Sequence, residues 1–206
     1  MKQKMVNISV NTVDKGTKQS DFMKVNNLLI IDGASRIDGY TKKQIEILKQ
    51  NVKYENITLF ECFKNKFEFC DGCNYCEKNE KCKHRDLDIF FESFEKADLI
   101  VFASPIYNGT FSAPLKALLD RFQVYYTCFY KNNKTQKIRK RRKAVLLASS
   151  GRVGEKWLDI MNEQLKFACS VLNIEFVGSA LCNFTDTEAN LKKAKNEIKN
   201  ILERID

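Results

Sequence analysis

The chain lacks what a membrane-spanning, secreted or fibrous protein requires. No apolar run approaches the roughly 18 residues of a bilayer-crossing helix, and the longest, DLIVFASPI, has the length of a strand. The N-terminal MKQKMVNISVNTVDKGTKQSD has neither an apolar core run nor a small-residue cleavage site, so no signal peptide is expected. Internal repeats and low-complexity linkers are absent. There is one histidine, His84, read as a solvated loop side chain, and one tryptophan, Trp157, read as core. Together these absences predict a soluble, cytoplasmic protein. In such a reducing compartment stable disulfides are disfavoured.

What remains is an ordinary globular composition, 44% hydrophobic and 30% charged over 206 residues, enough for one domain with a proper core. The expected layout is an N-terminal arm over 1–25 followed by a single domain over 26–206. The net charge of +9 is concentrated: KNNKTQKIRKRRK, from Lys131 to Lys143, holds eight basic residues and no acidic one. Such a run reads first as a solvated loop and second as a docking patch for an acidic partner, such as a small electron-carrier protein. No nucleic-acid reading motif accompanies it, so nucleic acid is not an expected partner.

Short apolar runs alternate with amphipathic ones. Strands are predicted over 26–32, 55–62, 98–107, 143–150 and 174–182, the third covered on both faces because its apolar run is nearly continuous. Helices are predicted over 41–50, 86–97 with Asp86 as cap, 112–131 starting at Ser112 with Pro114 in its first turn, 154–172 and 187–205. Five strands each followed by a helix imply an α/β fold with a parallel sheet between helix layers. Ligands of such sheets sit beyond the carboxyl ends of the strands. That singles out GASRIDGYT (33–41), SPIYNGTFSAP (104–114) and SSGRVG (149–154), all rich in small residues. In the first, Gly33 and Gly39 allow a tight turn, Ser35 and Thr41 carry hydroxyls and Arg36 a fixed charge, just where a helix begins. That is either a phosphate cradle or a plain strand-to-helix turn.

Half of the eight cysteines fall between Cys70 and Cys82, spaced Cys70-x2-Cys73-x2-Cys76-x5-Cys82. Disulfides, a zinc site and an iron–sulfur cluster compete as explanations. Two successive x2 gaps, with Gly72 relieving crowding, let a short loop wrap three thiolates around a compact cluster, as in bacterial ferredoxins. Structural zinc sites more often pair two knuckles across a longer insert. Cys62, Cys128, Cys169 and Cys182 lie in apolar elements and read as small core residues.

The segment SPIYNGTFSAPLKALLDRF (104–122) resembles the flavin-ring segment of flavodoxin-like, NAD(P)H-dependent FMN reductases, through Pro105, Ile106 and Tyr107 and then Ser112, Ala113, Leu115, Lys116, Asp120 and Arg121. The first loop is similar to that family's Gly-Ser-Pro-Arg-x-x-Gly-Asn-Thr. It departs at Ala34 and at Tyr40, which replaces an Asn that donates to the phosphate. The resemblance implies a flavodoxin-like three-layer sandwich with a five-stranded parallel sheet of order 2-1-3-4-5. It implies FMN held by Ser35, Arg36, Gly39, Tyr40 and Thr41 at the phosphate. Pro105, Ile106, Tyr107, Asn108 and Gly109 would lie on one side of the ring, and Ser149, Ser150 and Gly151 on the other. The cysteine loop resembles that of the iron–sulfur flavoprotein branch. This implies a [4Fe–4S] cluster on Cys70, Cys73, Cys76 and Cys82, a homodimer, and oxidoreductase activity from NAD(P)H or reduced ferredoxin to a quinone, flavin, azo compound or similar small acceptor. The rival expectations are a non-catalytic flavodoxin-like electron carrier, a reductase without a cluster, and a zinc-bearing interaction module. No catalytic acid or base is assigned, because the cofactor carries the electron chemistry.

Overall fold

The computed structural model describes residues 9–12, 23–128 and 140–205. Its centre is set by apolar runs too dense to face water on either side. Strand β2 (Met23–Asp32) carries Leu28 to Ile31, β4 (Leu99–Pro105) is apolar from Leu99 to Ala103, and β5 (Arg142–Ser149) from Ala144 to Ala148, all buried. Side chains alternate faces along a strand, so each run feeds two cores. On one face Leu29, Ile31, Ile100, Phe102, Leu146 and Ala148 pack against α3 (Asp88–Lys96), α4 (Ala113–Asp120) and α6 (Glu155–Val171), through Phe90, Phe94, Leu115, Leu118, Met161 and Leu165. On the other, Leu28, Ile30, Val101, Val145 and Leu147 meet α1 (Tyr40–Lys49) and α7 (Leu191–Leu202) through Ile45, Leu48, Ile198 and Ile201.

With β3 (Val52–Glu61) and β6 (Ile174–Cys182), the five strands form a parallel sheet of order β3-β2-β4-β5-β6, in register at Ile31 with Phe60 and Phe102 and at Val101 with Val145. Numbered among themselves, the strands run 2-1-3-4-5. The sheet has a sixth member: β1 (Ser9–Thr12) lies antiparallel on the outer edge of β3, Ser9 opposite Leu59 and Thr12 opposite Asn56. Part of the expected N-terminal arm is therefore an edge strand. Among the described residues, no helix is long and apolar enough to cross a membrane.

Three local expectations change. The single helix predicted over 112–131 is broken: α4 ends at Asp120, Arg121 and Phe122 form a turn, and α5 covers only Gln123–Tyr126. The break lets the Arg121 side chain turn inward, where it is wholly buried. Asp86 does not cap α3, whose N-cap position is Leu87 with no side-chain bond; its carboxylate accepts from Arg121 and from the Glu68 N–H instead. Much of the basic run, 131–139, lies outside the described residues. Its remaining end is engaged within the chain: Lys140 pairs with Asp98, Arg141 with Glu175, Lys143 donates to the Ile205 carbonyl, and buried Arg142 donates to the carbonyls of Phe94 and Leu172 with its guanidinium over the Phe94 ring.

Candidate functional site

A crevice of about 620 Å³ opens at the carboxyl ends of β2, β4 and β5. Ser35, Arg36, Gly39, Tyr40, Thr41, Pro105, Ile106, Tyr107, Ser149 and Gly151 all line it. Asn108, Gly109 and Ser150 do not, although they neighbour lining residues. Tyr40 lines the opening without filling it. Ala34, Ile37, Asp38, Thr185 and Asp186 also contribute and were not anticipated. The last two follow β6, which pairs directly with β5, so the polar NFTDT after Cys182 was the available signal.

Backbone bonds lock the loops together. Gly33 N–H donates to the Ala103 carbonyl at 2.8 Å and Ile106 N–H to that of Ser149 at 2.7 Å. Thr185 and Asp186 N–H groups reach Ser150 and Gly151 carbonyls at 3.0 and 3.2 Å. A Cβ on Gly33 would sit 2.7 Å from Ser112 Oγ and 2.9 Å from Leu115 Cβ, so only glycine admits this close approach of β2 to the start of α4.

At one end of the crevice the N-terminus of α1 is left open. Gly39 is its N-cap, no side chain caps it, and its first turn holds no acidic residue. Its free N–H groups and positive pole suit an anion, and the exposed Arg36 adds a full charge beside them. Thr41 Oγ1 is engaged with Ser149 Oγ at 2.6 Å, a bond in which either hydroxyl can donate. Beneath the loop lies a fully buried carboxylate, Asp32, which accepts from the Ala34 N–H at 2.8 Å and from Lys42. Lys42 also reaches Glu61 at 2.8 Å. Burial pushes the Asp32 carboxyl above its ordinary range despite these donors. Burial opposes the charge on Lys42, but its two carboxylate partners outweigh burial and raise its pKa. Lys42 is thus spent on acids below the loop and does not line the crevice.

At the other end, Tyr107 and Thr110 exchange backbone bonds of 2.9 and 3.1 Å around Asn108 and Gly109, whose φ angles are 49° and 78°. Two left-handed central residues make this a type I′ hairpin, the turn that Asn-Gly favours. Trp157 backs it: a Cβ on Gly109 would lie 2.7 Å from the indole ring. Trp157 is therefore not core. It is 41% exposed, and Tyr107 is 44% exposed beside it.

The four-cysteine loop follows β3 and includes one short helix, α2 (Tyr75–Asn79). Gly72, Asn74 and Glu80 take left-handed φ angles that fold the loop back on itself. All eight cysteines are thiols; Cys73 is exposed and Cys70, Cys76 and Cys82 are half-buried, with Cys76 Sγ 3.6 Å from Thr127 Oγ1. As they stand, and among the described residues, no three His, Cys, Asp or Glu side chains converge to hold a metal ion. The donor set itself, four accessible thiols on one loop, is chemically that of an iron–sulfur cluster. None of these residues lines the crevice. His84 sits half-buried with Nε2 3.9 Å from Asp71 Oδ2. Cys62, Cys169 and Cys182 are buried as expected, and Cys128 is half-buried.

Known proteins give the same outline. The chain matches the NADPH-dependent FMN reductase family over residues 26–201. It is 40% identical over 63 residues to an iron–sulfur flavoprotein of Archaeoglobus fulgidus, covering 30% of this chain and 32% of that one. It is 30% identical to an FMN-dependent NADH:quinone oxidoreductase of Pelagibacter ubique, over 64% of this chain and 72% of that protein. The matches to iron–sulfur flavoproteins span between 28% and 55% of those proteins' lengths. In fold, the chain is similar to an FMN-dependent NADH-azoreductase of Bacillus anthracis solved in complex with FMN, with a TM-score of 0.62 at 14% identity, covering 88% of this chain and 98% of that one. A match through five of the sheet's six strands and nearly all of the helices leaves one assignment: this chain belongs to the NADPH-dependent FMN reductase family.

Proposed function

We propose that the protein is an FMN-dependent oxidoreductase that takes electrons from NAD(P)H or reduced ferredoxin and delivers them to a quinone, flavin or similar acceptor. The observation that carries this reading is the crevice itself, with an uncapped helix N-terminus at one end and a closed Asn-Gly hairpin at the other. The phosphate would rest on the first-turn N–H groups of α1, with Ser35 and Arg36 beside them. Thr41 acts indirectly, by tying this turn to Ser149. Main-chain groups from Pro105 to Gly109 would face one edge of the ring, and those of Ser149 to Gly151 the opposite side. Tyr107 offers an aromatic face. When bound, FMN supplies both hydride and single-electron chemistry, so the chain needs to bind, orient and shield rather than donate protons.

A [4Fe–4S] cluster on Cys70, Cys73, Cys76 and Cys82 is part of the same reading. It is supported by the donor set and by the names of the iron–sulfur flavoprotein relatives. The loop would have to draw its thiols together around the cluster, which when bound supplies a one-electron port. A homodimer is supported by the exposed apolar side chains of Trp157, Ile160 and Phe167 along α6. A reducing, cytoplasmic setting, in which all eight cysteines would stay thiols, is part of the same reading. Ferredoxin as donor has less support from the basic run than its composition suggests, since Lys140 to Lys143 are engaged within the chain.

The test is anaerobic purification followed by FMN titration, NAD(P)H oxidation with a quinone acceptor, and analysis of iron and acid-labile sulfide. Bound FMN with steady NAD(P)H-dependent quinone reduction supports the reading. A protein that binds no FMN refutes it, and one that binds FMN yet only exchanges electrons with ferredoxin is a carrier.

A further inference from the structure

Arg121 belongs to the segment that resembles a flavin-ring motif, yet it does not line the crevice. It is entirely buried at the C-terminal end of α4 and points at the opposite neighbour, the four-cysteine loop. One guanidinium nitrogen donates to the Glu68 carbonyl, and the other to the His84 carbonyl at 3.0 Å and to Asp86 Oδ1 at 2.8 Å. Asp86 closes the ring of contacts, because its second oxygen accepts from the Glu68 N–H at 2.6 Å. Glu68 precedes Cys70, and His84 follows Cys82. The two ends of the excursion that carries all four thiols are therefore held together by one planar fork and its carboxylate partner, with no metal involved.

We infer that Arg121 and Asp86 are the positioning residues of the four-cysteine loop, closing its base so that its two ends stay together and the thiols need only draw inward to hold a cluster. This rests on the cluster reading above for its purpose, but not for its geometry. A guanidinium suits the task because it can satisfy three acceptors from two chain segments in one plane, which an ammonium cannot. The Asp86 carboxylate supplies the charge that makes burying Arg121 tolerable. At its other end α4 begins at Ser112, whose N–H donates to Ser104 Oγ at 3.0 Å next to the Pro105 turn. The loop base is thus mounted on the same helix that abuts the candidate flavin crevice.

The test compares wild type with Arg121→Lys, which keeps the charge but not the fork, and Asp86→Asn, which keeps the shape but not the charge. In cluster-loaded protein, both variants should release iron to a chelator about tenfold faster or more, the range seen when groups that orient metal ligands are removed. In cluster-free protein, both should show faster amide exchange around Glu68 and faster alkylation of Cys70, Cys73, Cys76 and Cys82. FMN affinity, read by flavin fluorescence, should stay within about twofold of wild type, since neither residue lines the crevice. Wild-type rates of iron release, exchange and alkylation in the variants overturn the inference, even if the variants melt earlier. Should Arg121→Lys not fold, Asp86→Asn decides alone. If wild-type protein takes up no iron, the cluster reading falls, while exchange and alkylation in the cluster-free protein still decide whether the pair closes the loop.

Discussion

Thr41 Oγ1 and Ser149 Oγ meet at 2.6 Å in a buried contact that ties the first turn of α1 to the end of β5. Both residues are buried. Thr41→Val keeps the shape and strands the serine oxygen, which should cost about 1–3 kcal/mol in urea denaturation. Adding Ser149→Ala removes the stranded group, so the double variant should be more stable than Thr41→Val alone. A double variant less stable than the single one would show that the contact does not act as a pair.

The indole of Trp157 against Gly109 offers an optical readout, because it is the only tryptophan in the chain. FMN entering the crevice should quench its fluorescence in proportion to occupancy. Gly109→Ala puts a side chain on a residue with φ of 78° and drives it into the ring. Strain of about 1–2 kcal/mol in the turn corresponds to roughly tenfold weaker FMN binding. Unquenched tryptophan in a protein that visibly binds FMN would place the ring elsewhere.

The buried Asp32 and the half-buried Asp86 should bend the pH dependence of stability in opposite directions. Burial opposes ionisation of Asp86, but Arg121 and the Glu68 N–H outweigh it and hold the carboxyl below its ordinary 3.8. The unfolded chain then binds more protons, so the Asp86 contribution is complete above that value and is lost as pH falls through the lower folded pKa. Asp32 is raised by burial, so the folded chain binds more protons and the Asp32 contribution is lost as pH rises from 3.8 through the higher folded pKa. Denaturant midpoints from about pH 3 to about pH 7 should fall less steeply toward acid in Asp86→Asn than in wild type, and more steeply in Asp32→Asn. Changes of the same sign in both variants would contradict this account.

Thiol reactivity should divide the cysteines by location. Burial pushes Cys169 up to about 12 and Cys182 up to about 11, and drives Cys62 higher still. At about pH 8, brief alkylation of cluster-free protein should label the four loop thiols and spare these three, as mapped by peptide mass spectrometry. Labelling of Cys62 before Cys73 would mean that the sheet opens more readily than its packing indicates.

Much of the fold can be read directly in the chain because a doubly covered sheet leaves dense apolar runs. LIVFA in β4 and AVLLA in β5 have no polar residue to blur them. The crevice loops are visible for a related reason: glycine and serine cluster where the loops must approach one another closely. What escapes such reading is decided by partners far away in sequence. SVNT carries no apolar pattern, and pairing with β3 alone makes it a strand. A helix-forming stretch breaks at Arg121 because the guanidinium finds its acceptors on a distant loop. Asp86 has the right place for a cap and a stronger donor elsewhere. Trp157 has a helical position that suits burial, yet it stays half in solvent against the hairpin at Gly109.

The antiparallel strand laid along β3 also governs how the molecule can meet its own kind. It occupies the hydrogen-bonding groups of a flank that would otherwise template a stranger's backbone, and so guards against stacking of one sheet onto the next. Removing Ser9 to Thr12 would bare the outer row of β3 groups and favour edge-to-edge pairing between copies.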